Sequence, residues 1–409
     1  MARGRTWLIL VLMLALILRL IAAFAVQQRV GDGQLCLIAG DAEGYWQLAQ
    51  NIVAVSDFSL YEPPRRIHRM PGFPVVLSLS LMLFGKSAFA ARCLLAIVGT
   101  AACGAVYLLG RRLFDEKIGL LACAFTVISP VMIGFSALLL SETLFALTLT
   151  LSVWCAANWL SEAETTAEAK RRPLSWALAT GFSVAIATYV RPSWLLAGPG
   201  LALLAVIVSK QRTRRSLEAA VMLLALYGTL LPWAVRNHAV CGHWVFTTLW
   251  SGASLYDGLS PEANGDSNME FFDRDKLMET QSEWDVDQHY NHAAWQFAKE
   301  NPGRAIELTL IKLWRYWKPW PNAAQFGGVG PAVMVAAFFL PMMVFAARGF
   351  WIARHRPWVW MLTLGPILYF AAIHSLFVGS LRYRLPAEYP LCVLAAAGCS
   401  KLLARRISE

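Results

Sequence analysis

Long apolar stretches recur along this chain of 409 residues and constrain its fold more than any other feature. A helix needs roughly 20 apolar residues to cross a membrane's hydrocarbon core, which is about 30 Å thick. The stretches predict an all-α polytopic membrane protein with about ten transmembrane helices. Residues 118–133 adjoin residues 138–160, so these two stretches form either two spans or one broken hairpin. The ten stretches are residues 7–26, 89–110, 118–133, 138–160, 174–190, 193–208, 217–235, 331–347, 359–377 and 385–403.

Composition excludes the other broad classes of protein. The chain is 57% hydrophobic and 15% charged, and its mean hydropathy is +0.49. A soluble domain has roughly 25% charged residues, so this chain could not cover its apolar surface in water. We therefore predict one integral-membrane domain over residues 1–409.

The basic residues indicate topology rather than a nucleic-acid partner, although the net charge is +10. Six short segments hold 18 of the 36 Lys and Arg but only 7 of the 26 Asp and Glu. Such segments face the cytoplasm. Both termini are then cytoplasmic, and two long loops, residues 27–87 and 236–330, face outward. The six segments are residues 1–6, 111–117, 161–173, 210–218, 348–356 and 401–409.

The first apolar stretch is either a retained anchor or a cleaved signal peptide. Ala23-Phe24-Ala25 resembles a cleavage site, but the stretch is long for a signal peptide and contains Arg19. We favour the anchor and expect Arg19 to extend to the outer interface.

The first long loop contains Gly40-Asp41-Ala42-Glu43-Gly44-Tyr45. Tyr45, Leu48 and Ile52 share one helical face, which predicts a helix lying on the membrane. Asp41 stands at its start, either as an N-cap or as a carboxylate that accepts a proton from a hydroxyl group. The short apolar run 74–84 follows and predicts a re-entrant or interfacial helix.

Two further charged positions adjoin apolar stretches. Arg69, before Pro71-Gly72, is expected at headgroup depth, where it binds a substrate or a lipid phosphate. Glu142 lies near the outer end of a span, where a carboxylate is either functional or paired with Arg191 or Arg92.

Residues 379–386 read Gly-Ser-Leu-Arg-Tyr-Arg-Leu-Pro, just before the last apolar stretch. Two arginines beside a helix N-terminus repel its partial positive charge unless an anion joins them. Arg382 and Arg384 therefore predict a phosphate site, the alternative being an interface anchor of Arg and Tyr383.

The second long loop is less informative, and we interpret it as a lid over the acceptor. Residues 304–317 predict an amphipathic helix whose apolar face contacts lipid and consists of Ile306, Leu310, Leu313, Trp314 and Trp317. The cluster of Asp285, Asp287, His289 and His292 favours a solvated helix over a metal site. Cys36 and Cys241 are the outward cysteines and could form a disulfide.

Together these motifs resemble the GT-C membrane glycosyltransferases, specifically bacterial relatives of protein O-mannosyltransferases and of lipid A aminoarabinose transferases. The similarity follows nearly the whole chain in order. The motifs are Asp41 with Tyr45, the segment Arg69-Met70-Pro71-Gly72-Phe73-Pro74, Glu142, Pro232-Trp233-Ala234-Val235-Arg236-Asn237, and Arg382-Tyr383-Arg384-Leu385-Pro386.

The resemblance implies transfer of a sugar, hexose or pentose, from a polyprenyl-phosphate carrier to a lipid, glycan or protein hydroxyl, with inversion. The site would lie on the outer face of a bacterial plasma membrane. Asp41 matches the proposed general base, and Arg69, Arg382 and Arg384 match positions that hold the carrier phosphate. We add Tyr45, Glu142 and Tyr383 as substrate-binding candidates, and expect neither a cofactor nor a metal.

Departures from the family pattern leave the sugar and the acceptor open. His68 stands where the aminoarabinose transferases have an acidic residue, and Asp41 and Glu43 are not adjacent. A glycan polymerase or ligase that uses a lipid diphosphate remains an alternative. A lipid-linked sugar flippase is another, although the polar residues gather in or beside the outer loops rather than at the membrane midplane.

Overall fold

The computed structural model describes residues 2–30, 40–160, 167–322 and 327–407, which are mostly helical. The first nine helices are α1 (Ala2–Val30), α2 (Asp41–Val53), α3 (Gly72–Phe84), α4 (Ala88–Leu113), α5 (Glu116–Ile128), α6 (Pro130–Ser136), α7 (Glu142–Leu160), α8 (Ala167–Val190) and α9 (Ala197–Val208). The others are α10 (Arg212–Cys241), α11 (Ser251–Gly258), α12 (Glu270–Asp275), α13 (Glu283–Glu300), α14 (Pro302–Trp317), α15 (Val329–Ala353), α16 (Pro357–Leu376) and α17 (Leu381–Ile407).

Within these ranges, seven helices are long and apolar enough to cross a membrane, namely α1, α4, α7, α8, α10, α15 and α16. The helices α5 and α6 pass the same test as a pair, with a bend of 65° between them. The chain is thus a multi-pass membrane protein with seven or eight such spans. The predicted count of ten also included residues 193–208, which hold the short helix α9, and residues 385–403, which lie in the more polar α17.

The helix α7 lies inside the bundle, packed against α4, α8 and α17. It is buried along most of its length, and small residues such as Ala146 and Ala156 allow close approach of its neighbours. Glu142 is the first residue of α7 and is fully buried. The packing therefore holds a carboxylate inside the protein at one end of the bundle.

The helix α2 does not lie on the membrane with the face that the sequence suggested. Tyr45 and Leu48 are buried, and the Tyr45 ring packs edge-on against Phe73 of α3 with 4.9 Å between centroids. An apolar helical face looks the same in sequence whether lipid or protein covers it. Here α3 covers it, and that contact fixes the start of α2.

The helix α3 confirms the short helix predicted for residues 74–84. Its first residue, Gly72, lies so close to α8 that an added Cβ would be 2.6 Å from the carbonyl oxygen of Tyr189. Glycine is therefore required for this approach. The contact brings the segment before α3, with Arg69, next to the end of α8.

The second long loop folds into α11 to α14 and is tied to the bundle. In α14 the side chains of Ile306, Leu310 and Trp314 are exposed, as predicted, but Leu313 and Trp317 pack against the core. A buried lysine in the same helix forms the tie. Lys312 Nζ donates to the carbonyl oxygens of Gly258 at 3.1 Å and Leu376 at 2.6 Å.

Two predictions on the first helix and its loop have different outcomes. Arg19 is fully buried and donates to the carbonyl oxygens of Ala15 and Thr126, each at 3.2 Å, so its predicted extension to the interface is wrong. Carbonyl groups inside the bundle accept from both terminal nitrogens of the guanidinium and so hold it there. Cys36 lies outside the described residues, so its pairing with Cys241 stays a prediction.

Candidate functional site

A cavity of about 820 Å³ opens at the end of the bundle where Glu142 lies. It lies among the first turn of α2, the segment before α3, the end of α8, the loop before α17 and the second long loop. Basic, acidic and aromatic side chains line it together. They include Asp41, Tyr45, Tyr61, Arg65, His68, Arg69, Arg191, Trp250, Asp257, Phe272, His374, Arg382 and Tyr383.

Asp41 is the first residue of α2, and the N-cap position belongs to Gly40. The predicted cap role of Asp41 is therefore wrong by one residue. Glu43 supports the helix start instead, because its carboxylate accepts from the Gly40 backbone N–H at 3.3 Å. The Asp41 carboxylate is therefore not needed to cap the helix, and it faces the cavity.

Two arginines hold Asp41 from opposite ends of the chain. Arg69 Nη2 lies 2.5 Å from Asp41 Oδ1, and Arg382 Nη1 lies 2.6 Å from Asp41 Oδ2. All three side chains are about one-quarter exposed, since the cavity reaches them. The guanidinium of Arg69 also lies over the Tyr45 ring, 5.4 Å from its centroid. Each oxygen of Asp41 therefore has its own cationic partner.

A second carboxylate extends this cluster. The Nε atom of Arg382 donates to Glu142 Oε1, and Arg191 Nη1 lies 3.0 Å from the same oxygen. Pairing of Glu142 with Arg191 was one of the two sequence interpretations, and it is the one observed. Glu142 Oε2 is buried and has no hydrogen-bond partner among the described residues.

We call these five residues the cavity ion network: Arg69, Asp41, Arg382, Glu142 and Arg191. Three arginines face two carboxylates, so the network carries one excess positive charge. Burial alone would raise the pKa of Asp41, but the charges of Arg382 and Arg69 outweigh it and lower that pKa well below its usual range. Asp41 is thus ionised, and the network can accept an anion.

Two tyrosines complete the walls of the network. Tyr45 Oη lies 3.5 Å from Ser141 Oγ, next to Glu142 in sequence. The Tyr383 ring stacks on His374 at 4.1 Å between centroids, and the Arg191 guanidinium lies 5.3 Å from the Tyr383 centroid. The structure therefore brings together Asp41, Tyr45, Arg69, Arg382 and Tyr383 in the cavity wall. Glu142 joins them through its ion pairs with Arg382 and Arg191.

Arg384 is the one predicted site residue that the structure places elsewhere. It is 1% exposed, and its Nε atom donates to Glu388 Oε1 at 2.6 Å. Its Nη1 atom donates to the carbonyl oxygen of Tyr316 at 2.7 Å. Residues two positions apart on a helix point in nearly opposite directions. The prediction that Arg384 shares a phosphate with Arg382 does not fit this position.

Several cavity residues were not selected from the sequence, and Arg191 and His68 are two of them. Arg191 was considered only as a structural partner, although it directly follows an apolar stretch and precedes Pro192. A basic residue at the outer end of a span, against the charge bias, is the signal that could have identified it. His68 was noted as a departure from the family pattern and lies in the cavity wall.

The acidic and histidine cluster of the second loop lies apart from the cavity. No group of three or more His, Cys, Asp or Glu residues that could hold a metal ion occurs in the part of the chain that the structure describes. Asp287 accepts from the Gly252 backbone N–H at 2.7 Å and so joins α13 to α11. Its role here is structural.

Comparison with known proteins gives both a sequence and a structural likeness. Residues 68–234 match the model of the dolichyl-phosphate-mannose-protein mannosyltransferase family. No curated protein matches the chain in sequence. The chain is structurally similar to the apo oligosaccharyltransferase of Archaeoglobus fulgidus, with a TM-score of 0.64 at 14% identity, over 98% of this chain and 51% of that one.

Two further structures are similar. One is the oligosaccharyltransferase AglB of Archaeoglobus fulgidus in complex with an inhibitory peptide and a dolichol-phosphate, with a TM-score of 0.60 at 14% identity over 98% of this chain and 51% of that one. The other is ArnT from Cupriavidus metallidurans bound to undecaprenyl phosphate, with a TM-score of 0.44 at 16% identity over 97% and 78%. The chain spans about half the length of the oligosaccharyltransferase that it matches.

Proposed function

We propose that this chain, which has the fold of the GT-C membrane glycosyltransferases, transfers a sugar from a polyprenyl-phosphate carrier to an acceptor hydroxyl. The observation that carries the proposal is the cavity ion network. It places an ionised carboxylate between two arginines at the wall of a cavity large enough for a sugar phosphate. The AglB structure, which contains a dolichol-phosphate, supports a lipid phosphate as the ligand in such a fold.

The charge of the network favours a monophosphate donor. A sugar linked to a polyprenyl monophosphate carries one negative charge, which the single excess positive charge of the network balances. A lipid diphosphate would carry two charges and leave one uncompensated in a partly buried site. Arg65, the other arginine of the cavity wall, lies 4.2 Å from the Phe272 centroid, and its charge is offset by Asp273, a carboxylate of the same wall.

The reaction is a single displacement at the anomeric carbon. The acceptor oxygen forms a bond to that carbon while its proton passes to the Asp41 carboxylate. The bond from the carbon to the phosphate oxygen breaks, and its electron pair leaves with the polyprenyl phosphate. Arg69 and Arg382 stabilise the charge that grows on the departing phosphate. Because attack and departure take place on opposite faces, the configuration of the sugar inverts.

Donor binding also makes Asp41 a better base. In the free protein both of its oxygens are held by arginines, which keeps its pKa low. A phosphate that binds Arg69 and Arg382 shares their charge, so the pKa of Asp41 rises toward its usual value. The carboxylate then accepts a proton more readily.

We propose that this reaction takes place at the outer face of the membrane, with both termini in the cytoplasm. The proposal rests on the distribution of Lys and Arg, which predicts that the loops around the cavity face outward. The second long loop, tied to the bundle through Lys312, covers the cavity from the acceptor side. The acceptor is a lipid, a glycan or a protein.

The test is turnover by the purified protein in lipid nanodiscs. A panel of polyprenyl-phosphate hexoses and pentoses is supplied with an extract of envelope acceptors, and the release of free polyprenyl phosphate is followed. We expect release with one donor and a loss of about 100-fold or more in Asp41→Asn, the scale of general-base catalysis. The exposed Asp285 provides the control variant Asp285→Asn, which should keep full activity. Turnover by Asp41→Asn at the rate of the wild type would contradict the assignment.

A further inference from the structure

His68 is a buried polar residue in the cavity wall that the phosphate chemistry leaves unused. Its side chain lines the cavity and the residue is 3% exposed. Its Nδ1 atom has no hydrogen-bond partner within the described ranges. A buried polar atom without a partner costs free energy, so a native protein that keeps one in a cavity wall usually has a use for it.

The position of the His68 ring is fixed by its surroundings. It packs edge-to-face against Tyr61 at 5.6 Å and against Trp250 at 4.3 Å between centroids. The neighbouring residue Ile67 accepts at its carbonyl oxygen from the Leu249 backbone N–H at 2.9 Å. Both long loops therefore hold the imidazole, and little freedom remains to be lost when a ligand binds.

The ring is neutral where it lies. Burial, and then the positive charges of Arg69 and Arg65, lower the pKa of His68 well below its usual range. A neutral imidazole has one donor and one acceptor nitrogen. That combination matches a hydroxyl group, which both donates and accepts, better than it matches a phosphate or an ammonium group.

The position of His68 next to Arg69 indicates which hydroxyl group His68 can contact. His68 directly precedes Arg69, which in the proposed function holds the donor phosphate, and the sugar is attached to that phosphate. We propose that His68 binds a hydroxyl group of the donor sugar and so helps to select that sugar. This inference rests on the proposed function, and it assigns to His68 the recognition of the sugar rather than of the lipid phosphate.

The experiment separates sugar recognition from phosphate binding. The full-length protein in nanodiscs is titrated with decaprenyl phosphate and with decaprenyl-phosphate-linked sugars. His68→Phe keeps the ring and its aromatic contacts but removes both nitrogen atoms. We expect its affinity for the sugar-bearing donor to fall about tenfold or more, while its affinity for sugar-free decaprenyl phosphate changes less than about twofold. His292→Phe, an exposed histidine of the second loop, is the matched control.

A second variant guards against simple misfolding. His68→Asn places an amide near the Nδ1 position, so it should recover most of the affinity that His68→Phe loses. Equal losses for the sugar-bearing and the sugar-free lipid, or no loss for either, would overturn the proposal. The same holds if only the KM of the acceptor rises. If the wild-type protein binds the sugar-bearing lipid but transfers no sugar, the proposed function is contradicted. The binding measurement on His68 would still test its role in sugar recognition.

Discussion

Arg382 and Arg384 are two residues apart in sequence but belong to two very different ion clusters. Arg382 joins the cavity ion network and is 22% exposed, whereas Arg384 pairs with Glu388 inside the bundle and is 1% exposed. The Arg384 pair is balanced, one cation to one carboxylate, and carbonyl groups complete its hydrogen bonds. The network has an excess cation and opens onto a cavity.

The comparison distinguishes a structural ion pair from a binding site by two physical properties, which are the balance of its charges and its exposure to the cavity. In a balanced buried pair the carboxylate already neutralises the arginine. An added anion would have to displace that carboxylate, which is part of the protein, so the pair does not bind a ligand. An unbalanced cluster at a cavity gains from an added anion. The same residue types in one helical turn thus serve two purposes, and substitutions should affect them differently.

The largest effect is expected when the buried pair is broken. Arg384→Met leaves the Glu388 carboxylate without a cation in the bundle interior, which costs about 3–5 kcal/mol of unfolding free energy. Denaturant titration in mild detergent measures this loss. The double variant Arg384→Met, Glu388→Met removes both charges and should recover most of the stability. A single variant as stable as the wild type would show that the pair is not the structural element inferred here.

Arg382→Met should instead spare the fold and damage the reaction. Asp41 keeps Arg69 and Glu142 keeps Arg191, so neither carboxylate is left unpaired. Stability should fall by less than it does in Arg384→Met, because each carboxylate keeps one arginine. Transfer should fall by about 10²–10³ in kcat/KM, because a group that stabilises the leaving phosphate is lost.

Arg382→Lys sharpens the same comparison. A lysine keeps the charge but lacks the planar fork that lets Arg382 contact Asp41 and Glu142 at once. Its activity should therefore lie much nearer to that of the methionine variant than to that of the wild type. A lysine variant with full activity would mean that charge alone, without geometry, is sufficient.

Sequence predicted most of the spans and most of the residues that gather at the cavity, because both depend on local patterns. Hydropathy marks apolar helices wherever they pack, and the Arg-Tyr-Arg segment stands out just before the last apolar stretch. What the sequence could not predict was the rotation of each helix about its own axis. Whether Arg382 or Arg384 faces the cavity depends on the angular position of α17, and Tyr45 looks the same whether α3 or lipid covers it.

Ion pairs between residues that are far apart in sequence could not be predicted from the sequence either. Asp41 and Arg382 meet across 341 positions, and Arg191 reaches Glu142 only because α7 and α8 pack side by side. The sequence offered Arg191 and Arg92 as equal partners for Glu142. Only the packing of the helices distinguishes them.

The smallest expected effect is a shift in pH dependence that reports on the network itself. The acid limb of kcat/KM for the donor describes the free protein, and that of kcat describes the donor complex. Asp41 must be ionised to act, so activity is lost as the pH falls through its pKa. In the free protein Arg382 and Arg69 keep that pKa well below its usual range.

Bound phosphate draws on the same arginines, so the acid limb of kcat should lie at a higher pH than that of kcat/KM. Rates measured at saturating and at limiting donor, from pH 8 down to the lowest pH at which the protein stays folded, provide the two profiles, and the kcat profile should begin to fall at the higher pH. In Arg382→Met the free protein has already lost one of these charges, so the two limbs should move closer together. Limbs that coincide in the wild type would show that the donor leaves the arginines on Asp41, and Asp41 could not then be the base that donor binding activates.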